Sequence, residues 1–138
     1  MLFRSRNKGF RCYGNDISGY PLPDKVTFTE DRNIDVDLVT FFDCIEHFPN
    51  ENLETILLPL NCKYICISVP WCHFENFETW KHRKPNEHFH HFDARGITEL
   101  LNRSGFELIV AASVEDEVRT NRGMKPNILT VMGKRNGS

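Results

Sequence analysis

The most informative stretch of the chain is Val36-Asp-Leu-Val-Thr-Phe-Phe42, where apolar residues occupy both alternating sets of positions. A half-wet strand shows apolar residues at every second position, so this pattern predicts a strand covered on two faces. Tyr64 to Val69 repeats it and is stopped by Pro70. Between them, Asn50 or Asn52 can cap a short helix through Leu53, Ile56, Leu57 and Leu60, with Pro59 limiting its length. Asp93 is a good N-cap for Ala94 to Arg103, in which Ile97, Leu100 and Leu101 form a stripe at helical spacing, and Gly105 ends the helix. Phe106 to Val114 and Asn127 to Lys134 read as strands joined by the polar connection Glu115 to Pro126.

Towards the N-terminus, Phe10 to Gly14 is a strand candidate. The loop after it contains Pro21 and Pro23, whose fixed φ and missing N–H exclude a helix. Val26 to Thr29 is brief and β-branched, as a small edge strand would be. Trp71 to Phe92 is dense in histidine and aromatic residues but has no period, which predicts a long loop of the kind compact domains keep for function. The order of elements predicts an α/β fold, with a mostly parallel sheet closing in a C-terminal antiparallel strand pair.

Length and composition narrow the function classes. At 138 residues, 40% hydrophobic and 26% charged, the chain is expected to form a single domain over 1–138, with loose tails at 1–8 and 136–138. Its net charge of −2 supplies no cationic footprint, so neither nucleic acid nor a membrane surface is the expected partner. The first ten residues lack a signal-peptide core, and no apolar run approaches a bilayer span. Five cysteines, an odd count without a C-x-x-C pair, predict reduced thiols and a cytoplasmic location.

Several of these segments together carry a resemblance. They are Tyr13-Gly-Asn-Asp16-Ile17-Ser, then Phe42-Asp43-Cys-Ile-Glu46-His47 ending the apolar strand, Ile67-Ser-Val-Pro-Trp71, the histidine-rich run Trp80 to Phe92, and Leu100-Leu-Asn-Arg-Ser-Gly-Phe106. In this order they resemble class I S-adenosylmethionine-dependent methyltransferases of the subgroup that reads FD-x-x-EH. The resemblance implies a Rossmann-like methyltransferase sheet using S-adenosylmethionine and a small-molecule or sugar-like acceptor. It also exposes a departure: the family's first strand and glycine-rich turn are missing, for the chain has no G-x-G and only nine residues precede Phe10. A homo-oligomer compensating for that strand is one expected repair, because an unpaired central edge invites association.

By the same resemblance, Asp16 accepts hydrogen bonds from the cofactor's ribose, and Ile17, Asp31, Phe42 and Asp43 complete the cofactor-binding set. Asp16 and Asp31 also suit ordinary turn roles. His47 and His88 are the catalytic candidates, since an imidazole exchanges protons near neutrality. Trp71, Trp80, His88 and His91 are expected to line the acceptor site. Two further readings stand beside this one. The first is a catalytically inactive binding or structural module of the same fold. The second is a metal-dependent enzyme built on His82, Glu87, His88, His90 and His91. The expected metal set is nonetheless none, because neither H-E-x-x-H nor C-x-x-C is present and successive residues of an extended chain point to opposite sides.

Overall fold

The computed structural model describes residues 9–15, 24–49, 52–115 and 127–137. Asp16 and Ile17, the tail 1–8 and nearly all of the 115–126 connection lie outside them. The chain divides into two compact units, residues 1–34 and 35–138. In the first unit, β1 (Cys12–Gly14) pairs in parallel with β2 (Val26–Phe28), with Cys12 opposite Val26 and Gly14 opposite Phe28. Both strands fall inside the segments the apolar pattern marked.

The second unit is a four-stranded mixed sheet with helices packed on it. Its strands are β3 (Val36–Phe42), β4 (Cys62–Pro70), β5 (Phe106–Ala112) and β6 (Ile128–Arg135), in the spatial order β3-β4-β6-β5. β3 and β4 are parallel. β6 enters between β4 and β5 and runs antiparallel to both, so the antiparallel share is larger than one closing pair. The parallel pair needs a crossover, which the short helix α1 (Leu53–Leu57) supplies. Its cap is Asn52, whose side chain accepts from the Glu54 N–H at 3.0 Å.

Helix α2 (Ala94–Arg103) follows its sequence pattern closely. Asp93 Oδ1 accepts the Gly96 N–H at 2.6 Å, and Ile97, Leu100 and Leu101 are buried. Gly105 ends the helix at φ 80°, a conformation that glycine adopts without steric cost. The stripe on α2 joins Leu53 and Leu57 of α1, Ile65, Ile67 and Val69 of β4, Phe106 of β5, and Leu129 and Val131 of β6 in one core. Facing away from it, Ser68 Oγ and Thr130 Oγ1 pair across β4 and β6 at 3.2 Å.

Two expectations need correction. β3 is not covered on both faces among the described residues: it is the edge of the four-stranded sheet, and Leu38 is 44% exposed. An apolar run reports how much burial a strand can accept, whereas the number of hydrogen-bonded neighbours depends on segments elsewhere in the chain. The loop 71–92 is also not wholly irregular, for Phe74–Thr79 forms 3-10 turns with a kink at Asn76. Such short turns have too little length to produce a hydrophobic period.

Candidate active site

The chain reverses sharply where β3 ends. Asp43 has φ 47°, in the left-handed region that Asp tolerates better than most residues, and its N–H donates to Ser68 O of β4 at 3.0 Å. The 3-10 turn Ile45–His47 follows at once. Ile45 is anchored in the core, which draws the neighbouring Glu46 inside as well, while His47 faces outward. Phe42 is half-buried and Asp43 exposed at the carboxyl end of the strand, where open α/β sheets bind ligands.

The histidine-rich loop is stitched onto this turn. Lys84 O accepts from the N–H groups of Glu87 at 2.9 Å and His88 at 2.8 Å, a tight turn to which Pro85 contributes its fixed φ. Phe89 N–H and His90 N–H then donate to Glu46 O at 2.8 and 3.2 Å, and His90 Nε2 donates to Phe48 O at 2.9 Å. Backbone pairing thereby carries His88 to His47, whose rings meet edge to face with centroids 4.7 Å apart.

The proton on His47 can be located from its partner. Nδ1 lies 2.8 Å from the carbonyl oxygen of Glu87, which can only accept. Nδ1 therefore carries the hydrogen, and in the neutral ring Nε2 keeps its lone pair. That nitrogen lies 3.9 Å from Glu46 Oε1. The Glu46 carboxyl is buried, and desolvation pushes its pKa up, with the nearby Asp43 charge adding to this and His47 opposing it. Backbone N–H groups of Cys44 and Glu46 lower it somewhat, yet neither completes a hydrogen bond with a carboxyl oxygen. His88 is 7% exposed, and its pKa is lowered first by burial and then by His47.

The structure brings Trp80 and His91 together, with centroids 5.9 Å apart, and Phe77 meets His91 edge to face at 5.0 Å. His82, for which no acceptor role was expected, packs against Trp80 at 5.3 Å. Trp71 stacks on His73 at 5.4 Å and lines a separate open hollow of about 470 Å³ with Phe74, Asp93 and Arg95. In the other unit, the Asp31 carboxylate accepts the Asn33 N–H at 2.8 Å, the turn role its sequence also suited. The five-residue metal cluster expected as a rival does not assemble: Glu87 pairs with Lys84 at 2.8 Å and His90 is bonded to Phe48. Of that set only His88 joins a donor group among the described residues, and its companions are Glu46 and His47.

Comparison with known proteins then decides the family. Residues 2–111 match the family described as a methyltransferase domain. The chain belongs to that family. Among curated proteins there is no significant match. Solved structures share its fold at low identity. The 1,6-didemethyltoxoflavin-N1-methyltransferase of Burkholderia thailandensis, solved with 1,6-didemethyltoxoflavin and S-adenosylhomocysteine, has a TM-score of 0.67 at 16% identity, covering 96% of this chain and 64% of that one. An Archaeoglobus fulgidus SAM-dependent methyltransferase gives 0.62 at 17%, covering 97% and 80%. The magnesium protoporphyrin IX methyltransferase of Synechocystis, with bound SAH, gives 0.53 at 13%, covering 99% and 60%. This methyltransferase-domain chain thus spans less than two thirds of the first of these proteins.

S-adenosylmethionine is the cofactor of the family. Of the expected cofactor-binding residues, the half-buried Phe42 and the left-handed Asp43 stand at the carboxyl end of β3. The described residues include no glycine-rich turn, for the sequence has no G-x-G.

Proposed function

We propose that the chain is an S-adenosylmethionine-dependent methyltransferase domain acting on a small-molecule or sugar-like acceptor, with His47 as its proton acceptor. The reading rests on one observation: in a methyltransferase-family chain, an exposed histidine with a defined tautomer stands just beyond the carboxyl end of β3. Phe42 and Asp43 would hold the nucleoside portion of the cofactor. When bound, that cofactor supplies a methyl group already activated by a cationic sulfur. What remains for the chain is alignment and removal of one proton from the acceptor. His47 Nε2 takes that proton, while the Nδ1–H bond to Glu87 O holds the ring in place. His88, whose pKa is lowered by burial, meets the His47 ring edge to face and would help to orient it. Trp80 and His91, with rings inclined at 61°, would offer an aromatic corner against which a ring-shaped acceptor packs.

Titration calorimetry with S-adenosylmethionine and S-adenosylhomocysteine tests the reading. Binding of both is expected, and methyl transfer by the His47→Ala variant should fall roughly 10²- to 10⁴-fold with cofactor affinity unchanged. Absence of heat at millimolar ligand would replace this reading with that of a catalytically silent module of the same fold.

A further inference from the structure

We propose that Glu46, His47 and His88 form a binding site for one divalent transition-metal ion of the zinc type. One donor atom from each of the three side chains lies within 4.8 Å of the other two. Ligands at 2.0–2.2 Å around a tetrahedral ion stand about 3.4 Å apart, so closure asks for movements on the order of an ångström. The exposed His47 side chain has room to make most of that movement.

Three features point to an ion rather than to a chance meeting of polar groups. First, Glu46 is 1% exposed, and neither carboxylate oxygen has a hydrogen-bond partner among the described residues. A buried carboxylate whose oxygens accept no hydrogen bond is costly, and a cation between it and two imidazoles is a direct compensation. Second, the Nδ1–H bond of His47 to Glu87 O is the outer contact that metal-bound histidines commonly make; it fixes the tautomer and leaves Nε2 as the ligand atom. Third, the donors come from two segments tied together through the backbone, with Phe89 and His90 N–H both on Glu46 O. The two segments are therefore held together before any metal binds, and closing the site is left to the side chains.

Two imidazoles and one carboxylate suit zinc, iron or cobalt better than magnesium, which prefers oxygen alone. Three protein ligands with one of them exposed leave a coordination position facing solvent, which could take an oxygen or nitrogen of a bound small molecule. The ion would use the same Nε2 lone pair that serves as proton acceptor in the proposed transfer, so the two states of His47 exclude one another.

The test is titration of the metal-stripped full chain with Zn²⁺ alone, by calorimetry and by competition with a chromophoric chelator. Because no cofactor is present, the result stands apart from that of the methyltransferase reading. One equivalent should bind. His47→Ala and Glu46→Gln should each weaken binding at least about tenfold, whereas His73→Ala should leave it unchanged. His47 is exposed, so its variant is expected to fold, and circular dichroism checks this. Failure to bind below roughly 100 µM would overturn the site. Equal weakening by His47→Ala and His73→Ala would also overturn it, as adventitious capture by surface histidines.

Discussion

Single residues in this chain act through the one or two partners that the fold brings to them. Asp93 shows the simplest case: its carboxylate accepts the Gly96 N–H at 2.6 Å at the start of the helix that carries Ile97, Leu100 and Leu101 into the core. Asp93→Ala should cost about 1 kcal/mol of stability, read from the urea midpoint, and Asp93→Ser should recover most of it. An unchanged midpoint for Asp93→Ala would mean the cap is dispensable. This role was legible in the sequence because a cap and its helix are neighbours along the chain. Glu46 was not legible in the same way. Its place in the E-H pair was visible, but its burial follows from Ile45 beside it entering the core and from the 84–90 loop closing over the turn.

At the scale of elements, close approach sets the limits. Gly133 of β6 sits opposite Ile65 of β4 and Leu108 of β5, and a Cβ there would stand 3.1 Å from Ile65 Cγ2 and 3.2 Å from Phe106 Cβ. Gly133→Val should therefore destabilise by roughly 1–3 kcal/mol through overpacking. Thermal unfolding checks this, and a melting temperature equal to that of the parent would contradict the tight packing. Two residues on, Arg135 donates to Ser104 O at 3.0 Å and to Leu60 O, and its guanidinium lies 3.8 Å from the Phe106 ring centre. One side chain thus joins the end of α2, the entry to β4 and the start of β5. The segments holding α1, α2 and β4 to β6 were predictable, because helical and strand periods are local properties. The insertion of β6 between β4 and β5 was not, since pairing across the sheet leaves no trace in the order of residues.

The whole molecule adds a dependence on pH. His82 and His91 both have lowered pKa values, caused first by burial, and the Nε2 atoms of both are buried without a hydrogen-bond partner among the described residues. Below the unfolded value near 6.5 the unfolded chain holds more protons at these positions than the folded one. Their contribution is present above about pH 6.5 and is lost as pH falls towards the lowered folded values. Glu46, with its raised pKa, works in the opposite sense. Melting temperature should fall from pH 7.5 to 5.5, and the double variant His82→Gln/His91→Gln should flatten the decline. An equal slope in the parent and the variant would remove these histidines as the cause.

The sequence by itself determined which segments become strands and helices, where they are capped and broken, and, over residues 2–111, the match to the methyltransferase-domain family. These are matters of local sterics, short-range periodicity and residue order. Tertiary structure alone decided that β3 lies at the edge of the four-stranded sheet among the described residues and that Trp71 stacks on His73 while Trp80 meets His91. It likewise decided that His88, forty-one positions after His47, completes a group with that residue and Glu46. The reason is physical: burial and proximity between distant segments depend on how the backbone hydrogen bonds of the entire sheet and its loops are satisfied together, and no local window of residues contains that information.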